Sequence, residues 1–462
     1  MQNNRHSNEL YLKILLFLLL ILNIYRYRFV HLKQKYNITI NDIYHSIQSF
    51  LNISFHNNLN KKIKIGIYCK NLKNGGIQRS TSLTLKYLNK IEIFKSYLFA
   101  YESQEDDEYN IPGRIRRITI KNKSITNLIK EIRKNRIDIL IYQFPLNNEI
   151  NLLNKINNIK TIFVIHSSFF YWLYSNFTYL SIYESYKNSK YIISSIPLEN
   201  DYLFKKWGIN STFISNFIYN DYNTITPSDL SSKIILMIGR GNKRLKRFDL
   251  GIISMEYISQ EFKDCEMKII SNITDIDNLK YLAENLNIKK DVKFVGYNKN
   301  PEIYFKKASL HLFPSISESF GYVLFETKIY GIPNILMGLD YVSIAKEGTV
   351  MIYDDSPESL AKEGIKILKN ENYRKNLGKQ ARKSMKKINN DLPFRKWVKL
   401  ILSVYNEYEY YDLLRKKEVE MNKNNSLNIL NNQIKLLKMR NSNFSNFTIN
   451  HFENFSFVKI LT

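Results

Sequence analysis

From Lys61 onward, short apolar runs alternate with longer stretches whose apolar positions recur every three to four residues. Residues 63–69, 96–100, 138–142, 161–165 and 191–194 read as strands, and residues 80–88 as a helix among them. Ser124 opens another helix, with Ile125, Leu128, Ile129 and Ile132 on one face, as packing against a sheet requires. A second series starts at residues 234–238, continues through 267–270, 292–295 and 310–313, and ends in helices over about 356–388. Strands alternating with helices predict parallel sheets covered on both faces. The chain is therefore an α/β protein of two domains, residues 61–216 and 217–392, with no short internal repeat. Residues 393–420 follow as an amphipathic helix carrying Phe394, Trp397, Leu400, Ile401, Tyr405 and Tyr408, and residues 421–462, rich in Asn and Lys, read as a polar tail.

The first 60 residues follow a different pattern. Residues 10–25 hold an uninterrupted apolar core over 14–22, short against the about 20 residues a bilayer core demands. No small-residue cleavage pattern follows Leu22, so the segment reads as an uncleaved anchor rather than a signal peptide. The alternative is an N-terminal helix docked on the protein. Arg26, Arg28, Lys33 and Lys35 outnumber Arg5 and Lys13, which places the domains on the cytoplasmic side of a single-pass anchor. Ile40, Ile43, Tyr44, Ile47, Phe50 and Leu51 repeat at helical spacing and suggest a stalk.

Composition changes this picture little. At 462 residues, 44% apolar and 14% aromatic, the chain fills two cores, which excludes wholesale disorder. A net charge of +26 raises anionic lipid or nucleic acid as partners. Lys and Asn enrichment throughout the chain makes much of that charge a solvated surface, and no nucleic acid is expected. The two cysteines, Cys69 and Cys265, lie in different halves and do not form a disulfide framework.

The densest chemistry lies in residues 314–333. Residues 308–314 read as a buried strand ending at a proline, and Ser317 to Gly321 form the turn that follows. From Tyr322 onward a helix is expected, stopped by Gly331 and Pro333, with Glu318 in the turn and Glu326 a couple of helical turns inside. The glycine-containing turn aims free N–H groups, at Ser319, Phe320 and Gly321, above the strand end, which favours a phosphate or an oxygen-rich ligand. Two acceptor-only carboxylates at different depths suit a polyhydroxylated ligand. The strand at 234–238 runs into Gly239 and Arg240, with Lys246 six residues after the arginine. Cations beside a glycine turn at a strand's C-terminal edge suit a diphosphate. Asn74-Gly75-Gly76-Ile77-Gln78-Arg79 follows the first strand and permits close backbone approach. His166, one of seven histidines, ends the strand at 161–165.

The two glutamates with seven residues between them inside ESFGYVLFE, followed by Gly-Ile-Pro, resemble the retaining glycosyltransferases of family 4, which carry the glycosyl transferases group 1 domain. That resemblance, over about residues 61–415, implies the GT-B fold: two Rossmann-like domains facing each other across a cleft, with residues 393–420 crossing back to the first. It assigns Glu318 to the transferred sugar, Glu326 to the ribose, Arg240 and Lys246 to the diphosphate, His166 to the sugar or acceptor, and Gly75, Gly76, Gly239, Ser319, Phe320 and Gly321 to the donor site. Gln78 stands where the family has Glu in G-G-x-E-R, and Thr327, Ile329 and Tyr330 replace its usual small residues. The implied activity is metal-independent transfer of a hexose from a UDP- or GDP-linked donor, with no further cofactor, to a glycan or lipid-linked hydroxyl. The acceptor attacks from the face of the leaving phosphate, which itself takes the proton. Two other readings stand beside it: an inactive, membrane-tethered binding protein on the same fold, and a nucleotide-sugar epimerase or hydrolase.

Overall fold

The computed structural model describes residues 62–73, 75–143, 147–156, 159–168, 185–219, 222–240, 243–272, 276–298 and 300–406, and within the C-terminal segment residues 429, 432–433 and 435–436. The anchor and stalk read from the sequence lie outside these residues. Among the described residues no helix is long and apolar enough to cross a membrane.

The first sheet has seven parallel strands in the order β3-β2-β1-β4-β5-β6-β7. They are β1 (Ile63–Tyr68), β2 (Phe94–Ala100), β3 (Arg116–Thr119), β4 (Ile139–Gln143), β5 (Lys160–Ile165), β6 (Tyr191–Ser194) and β7 (Thr212–Phe213). Among the described residues its α-helices are α1 (Gly76–Leu88), α2 (Ile125–Lys134), α3 (Asn147–Asn154) and α4 (Pro197–Trp207). Burial on both faces explains why the strands read as near-continuous apolar runs. Along β4, Ile139 and Ile141 enter one core while Leu140 and Tyr142 enter the other, beside Leu128 and Ile132 of α2.

The second sheet has six parallel strands in the order β10-β9-β8-β11-β12-β13. These are β8 (Ile234–Ile238), β9 (Glu266–Ile270), β10 (Val292–Phe294), β11 (Leu310–Phe313), β12 (Asn334–Met337) and β13 (Thr349–Ile352). The helices are α5 (Lys243–Lys246), α6 (Phe248–Glu261), α7 (Ile276–Asn285), α8 (Glu302–Phe305), α9 (Tyr322–Ile329), α10 (Pro357–Lys369) and α11 (Glu371–Lys386). Both sheets are doubly wound, and in each the winding reverses between two central strands, β1 and β4 or β8 and β11. Loops leaving the C-terminal ends of those strands diverge and open a crevice, the usual place for a ligand in such sheets.

The last described helix, α12 (Asp391–Asn406), packs on α1 and β4 of the first domain. Lys396 Nζ donates to the Phe213 carbonyl at 2.9 Å and Lys160 Nζ to the Tyr405 carbonyl at 2.7 Å. One apolar cluster runs from Ile65 through Trp397 and Leu400 to Leu324 and Leu336, so the two domains share a core at their junction.

Three local features differ from the sequence reading. Helix α1 begins at Gly76 rather than Ser80, because glycines at a helix start forfeit no intrahelical hydrogen bond from their own N–H groups. Glu326 is the fifth residue of α9, little more than one turn inside. Within the stretch read as a polar tail, Ile429, Gln433 and Leu436 are buried. Leu436 sits on Gly338, and Gln433 Nε2 reaches Asp340 Oδ1 at 3.1 Å, so a few apolar side chains suffice to dock a segment that is polar on average.

Candidate active site

The residues singled out in the sequence lie on segments leaving C-terminal strand ends: Gly75 and Gly76 after β1, His166 after β5, Gly239, Arg240 and Lys246 after β8, and residues 317–326 after β11. The last two groups flank the reversal point of the second sheet.

Lys246 and Glu318 form an ion pair, with side chains 15% and 14% exposed. So little solvent separates this pair from the weak contacts of an open surface, and each charge would be costly to strand. The lysine reaches the carboxylate by laying its stem across Gly239, where an added Cβ would stand 3.0 Å from Lys246 Cδ. Its ammonium also lies 5.3 Å from the centre of the Phe313 ring. Arg247, next in sequence, points elsewhere, pairing with Asp355 at 3.1 Å.

Arg240 is exposed at the end of β8 and meets the first domain at Gly75. A Cβ there would come within 2.6 Å of the guanidinium carbon, so only glycine lets the two domains approach this closely.

Gly321, at φ +75°, takes the left-handed conformation that turns the chain into α9. Ser319 is part-exposed beside it. The Phe320 ring is buried and meets Tyr322 edge-on at 4.9 Å, which leaves only its backbone to face a ligand. The Glu318 N–H donates to the Tyr341 hydroxyl at 3.0 Å, and that hydroxyl lies 3.4 Å from Ser317 Oγ. Ser317 in turn meets Ser168 of the first domain, Oγ to Oγ, at 2.5 Å. Glu326 pairs across the cleft with Arg79 of α1, whose guanidinium stacks 4.8 Å from the centre of the Tyr322 ring.

His166 is part-exposed, and its Nε2–H donates to Gln143 Oε1 at the end of β4. Burial pushes the imidazole down to about 4, so it is neutral at pH 7. His311 on β11 is fully buried, with Nδ1 2.6 Å from Asn334 Oδ1. Burial pushes it down to about 4 as well. Because the folded state resists protonation while an unfolded imidazole titrates near 6.5, stability is complete above about pH 6.5 and falls as pH drops toward 4. We expect the melting temperature to decline through that window, with His311 contributing on the order of 1 kcal/mol per pH unit. His311→Gln should flatten the decline; an unchanged slope in melting scans from pH 7 to 4.5 would contradict the assignment.

Arg79, Tyr341, Ser168 and Ser317 belong to this constellation although the sequence reading gave them no role. Arg79 lies inside the glycine motif and was legible there. Tyr341 carries no local signal, since only the fold brings it beneath Glu318. Among the described residues, no group of three or more His, Cys, Asp or Glu side chains is gathered as metal ligands would be.

Residues 221–384, which hold the loops after β8 and β11, match the family model of the glycosyl transferases group 1. An uncharacterised glycosyltransferase of Haemophilus influenzae is 25% identical over 263 residues, 54% of this chain and 70% of that protein. Sucrose-phosphate synthase from Thermosynechococcus elongatus superposes with a TM-score of 0.64 at 14% identity, over 75% of this chain and 100% of that one. The Anabaena protein HepE, solved with UDP and glucose, gives 0.60 at 13%, over 74% and 100%. These likenesses establish the fold as GT-B: two parallel-sheet α/β domains.

Proposed function

We propose that this chain, whose residues 221–384 match the glycosyl transferases group 1 model, is a retaining glycosyltransferase moving a hexose from a nucleoside-diphosphate sugar to an acceptor hydroxyl. The observation that carries the reading is the shielded Lys246–Glu318 pair at the reversal point of the second sheet, with Arg240, which follows the same strand β8, set against Gly75 of the first domain. A cation and a carboxylate held together there suit a ligand with an anionic half and a hydroxylated half. Donor binding exchanges the pair for two better-matched contacts, Lys246 to the diphosphate and Glu318 to sugar hydroxyls. Glu326 takes the ribose. The UDP and glucose held by the Anabaena neighbour support a nucleoside-diphosphate sugar as donor; we take it as UDP- or GDP-linked.

In the reaction the bond from the anomeric carbon to the diphosphate oxygen breaks, and a bond to the acceptor oxygen forms on the same face. The acceptor proton passes to the departing phosphate, so no separate base is required. Arg240 and Lys246, with the N–H groups at the start of α9, stabilise the charge growing on that phosphate. His166, neutral at pH 7, serves as a hydrogen-bonding partner for the sugar or the acceptor rather than as a charge. Two cations at the diphosphate take the place of a bridging metal. Residues 10–25 anchor the chain to a membrane with the domains on the cytoplasmic side, beside a glycan or lipid-linked acceptor.

Initial rates with a matched donor and acceptor test this reading. Transfer should continue in excess chelator with the sugar's anomeric configuration retained. Loss of activity on chelation, restored by a divalent ion, would overturn metal independence. Donor consumption without a glycosylated product would point instead to a hydrolase.

A further inference from the structure

Glu326 is held from the opposite domain. Its Oε1 takes the Arg79 guanidinium, and both side chains are largely shielded, at 22% and 19% exposed. Two further contacts hold the arginine, and a third fixes the ring it lies on. Its own N–H closes the first turn of α1 onto the Gly75 carbonyl at 2.9 Å, its guanidinium lies over the Tyr322 ring at 4.8 Å, and the Tyr322 hydroxyl donates to the Phe217 carbonyl at 3.0 Å in the segment between the domains. Next to it on α1, Ser80 Oγ reaches Asn216 Oδ1 at 2.9 Å in the same segment. The guanidinium thus has a planar seat between α1, α9 and the interdomain segment, a geometry that a lysine would not reproduce.

A carboxylate has two oxygens and about four acceptor sites, and the ion pair engages Oε1. We propose that Arg79 is a positioning residue for the donor: it fixes the Glu326 carboxylate with Oε2 left to accept the ribose hydroxyls, so that ribose recognition requires the first domain to be docked on the second. This rests on the reading of Glu326 as the ribose contact. Without Arg79 the carboxylate is free to rotate and better hydrated, and part of the binding free energy goes into ordering it. The same contact links donor affinity to domain closure, because the two partners belong to different sheets.

The test crosses protein variants with ligand variants. The probes are UDP, GDP and their 2′,3′-dideoxy analogues, titrated by calorimetry into the full chain, using whichever base the wild-type protein binds more tightly. Removing the ribose hydroxyls should weaken wild-type binding roughly 10- to 100-fold, the range of two hydrogen bonds to a charged group. Arg79→Met should weaken binding of the ribonucleotide roughly 5- to 10-fold while leaving the dideoxy nucleotide within about twofold of wild type, since the contact it organises is already gone. Arg79→Lys should recover part of the loss. In turnover, Arg79→Met should raise KM for the donor more than it lowers kcat.

If Arg79→Met weakens both nucleotides equally, the arginine acts on the phosphates or on the fold, and the positioning role is wrong. If Glu326→Gln retains full sensitivity to the ribose hydroxyls, the ribose reading itself fails, and the proposal with it. A wild-type sensitivity that Glu326→Gln abolishes and Arg79→Met leaves intact would refute the proposal alone. Melting curves of each variant identify a general loss of folding, and Arg79→Lys, which keeps the charge, carries the comparison if Arg79→Met does not fold.

Discussion

Replacing Lys246 by alanine should lower turnover by two to three orders of magnitude, roughly 2.7 to 4 kcal/mol of transition-state stabilisation, as expected for losing a donor to a developing anion. The lysine is poised for this task. Its stem runs over Gly239 and its ammonium is held in the cleft by Glu318 rather than by water. The substitution also strands the Glu318 carboxylate in a poorly solvated place, so a modest fall in melting temperature should accompany the kinetic loss. Arg240, exposed at the mouth of the cleft, has more freedom to be replaced by water and should cost less, about tenfold. Excess chelator should leave the wild-type rate unchanged. Initial rates of the two variants, with and without chelator, decide the matter. If both alanine variants kept full activity, the leaving charge would be handled elsewhere.

The two glutamates should separate in kinetics. On the proposed reading Glu326→Ala removes a ribose contact that persists from bound donor to transition state, so it should raise the donor KM by about 10- to 100-fold with a smaller change in kcat. On the same reading Glu318→Ala removes a contact to the sugar, the part of the donor that changes shape and charge during transfer. It should depress kcat by about 100-fold with little effect on KM. The second effect contains an opposing contribution, because Glu318→Ala also frees Lys246 from its resting partner and makes the ammonium available to phosphate. Nucleoside diphosphate alone should therefore bind this variant at least as tightly as wild type. Steady-state kinetics on both variants checks the split; unchanged activity in both would reject the site.

The strands were legible because parallel strands buried on both faces have few polar positions. Residues 191–194, 234–238 and 310–313 coincide with β6, β8 and β11. β3, β7, β12 and β13 were not legible, because Arg116–Thr119 is half charged, Thr212–Phe213 spans two residues, and Ile335-Leu336-Met337 and Val350-Met351-Ile352 are too short to stand out beside the helix and loops around them. At the site, glycines and charged residues clustered along the sequence announced the loops after β1, β8 and β11. Contacts between distant segments had no such signature. That Ser168 meets Ser317, that Tyr341 supports the Glu318 backbone, and that Arg79 reaches Glu326 follow from the docking of two sheets, which no local pattern encodes. The residues Lys246, Glu318 and Glu326 stood out in the sequence, but their pairings did not, because each ion pair joins segments far apart along the chain.

Whether this cleft holds a nucleoside-diphosphate sugar is decided by a melting-temperature panel of UDP- and GDP-linked hexoses against the wild-type protein and Lys246→Ala. A ligand that binds only the folded state, at about 100 times its Kd, stabilises it by about 2.7 kcal/mol. At least one donor should raise the wild-type melting temperature by several degrees, and Lys246→Ala should lose most of that rise. A panel in which no nucleotide sugar shifts the wild-type protein, or in which the shift is the same in Lys246→Ala, would contradict the proposed site.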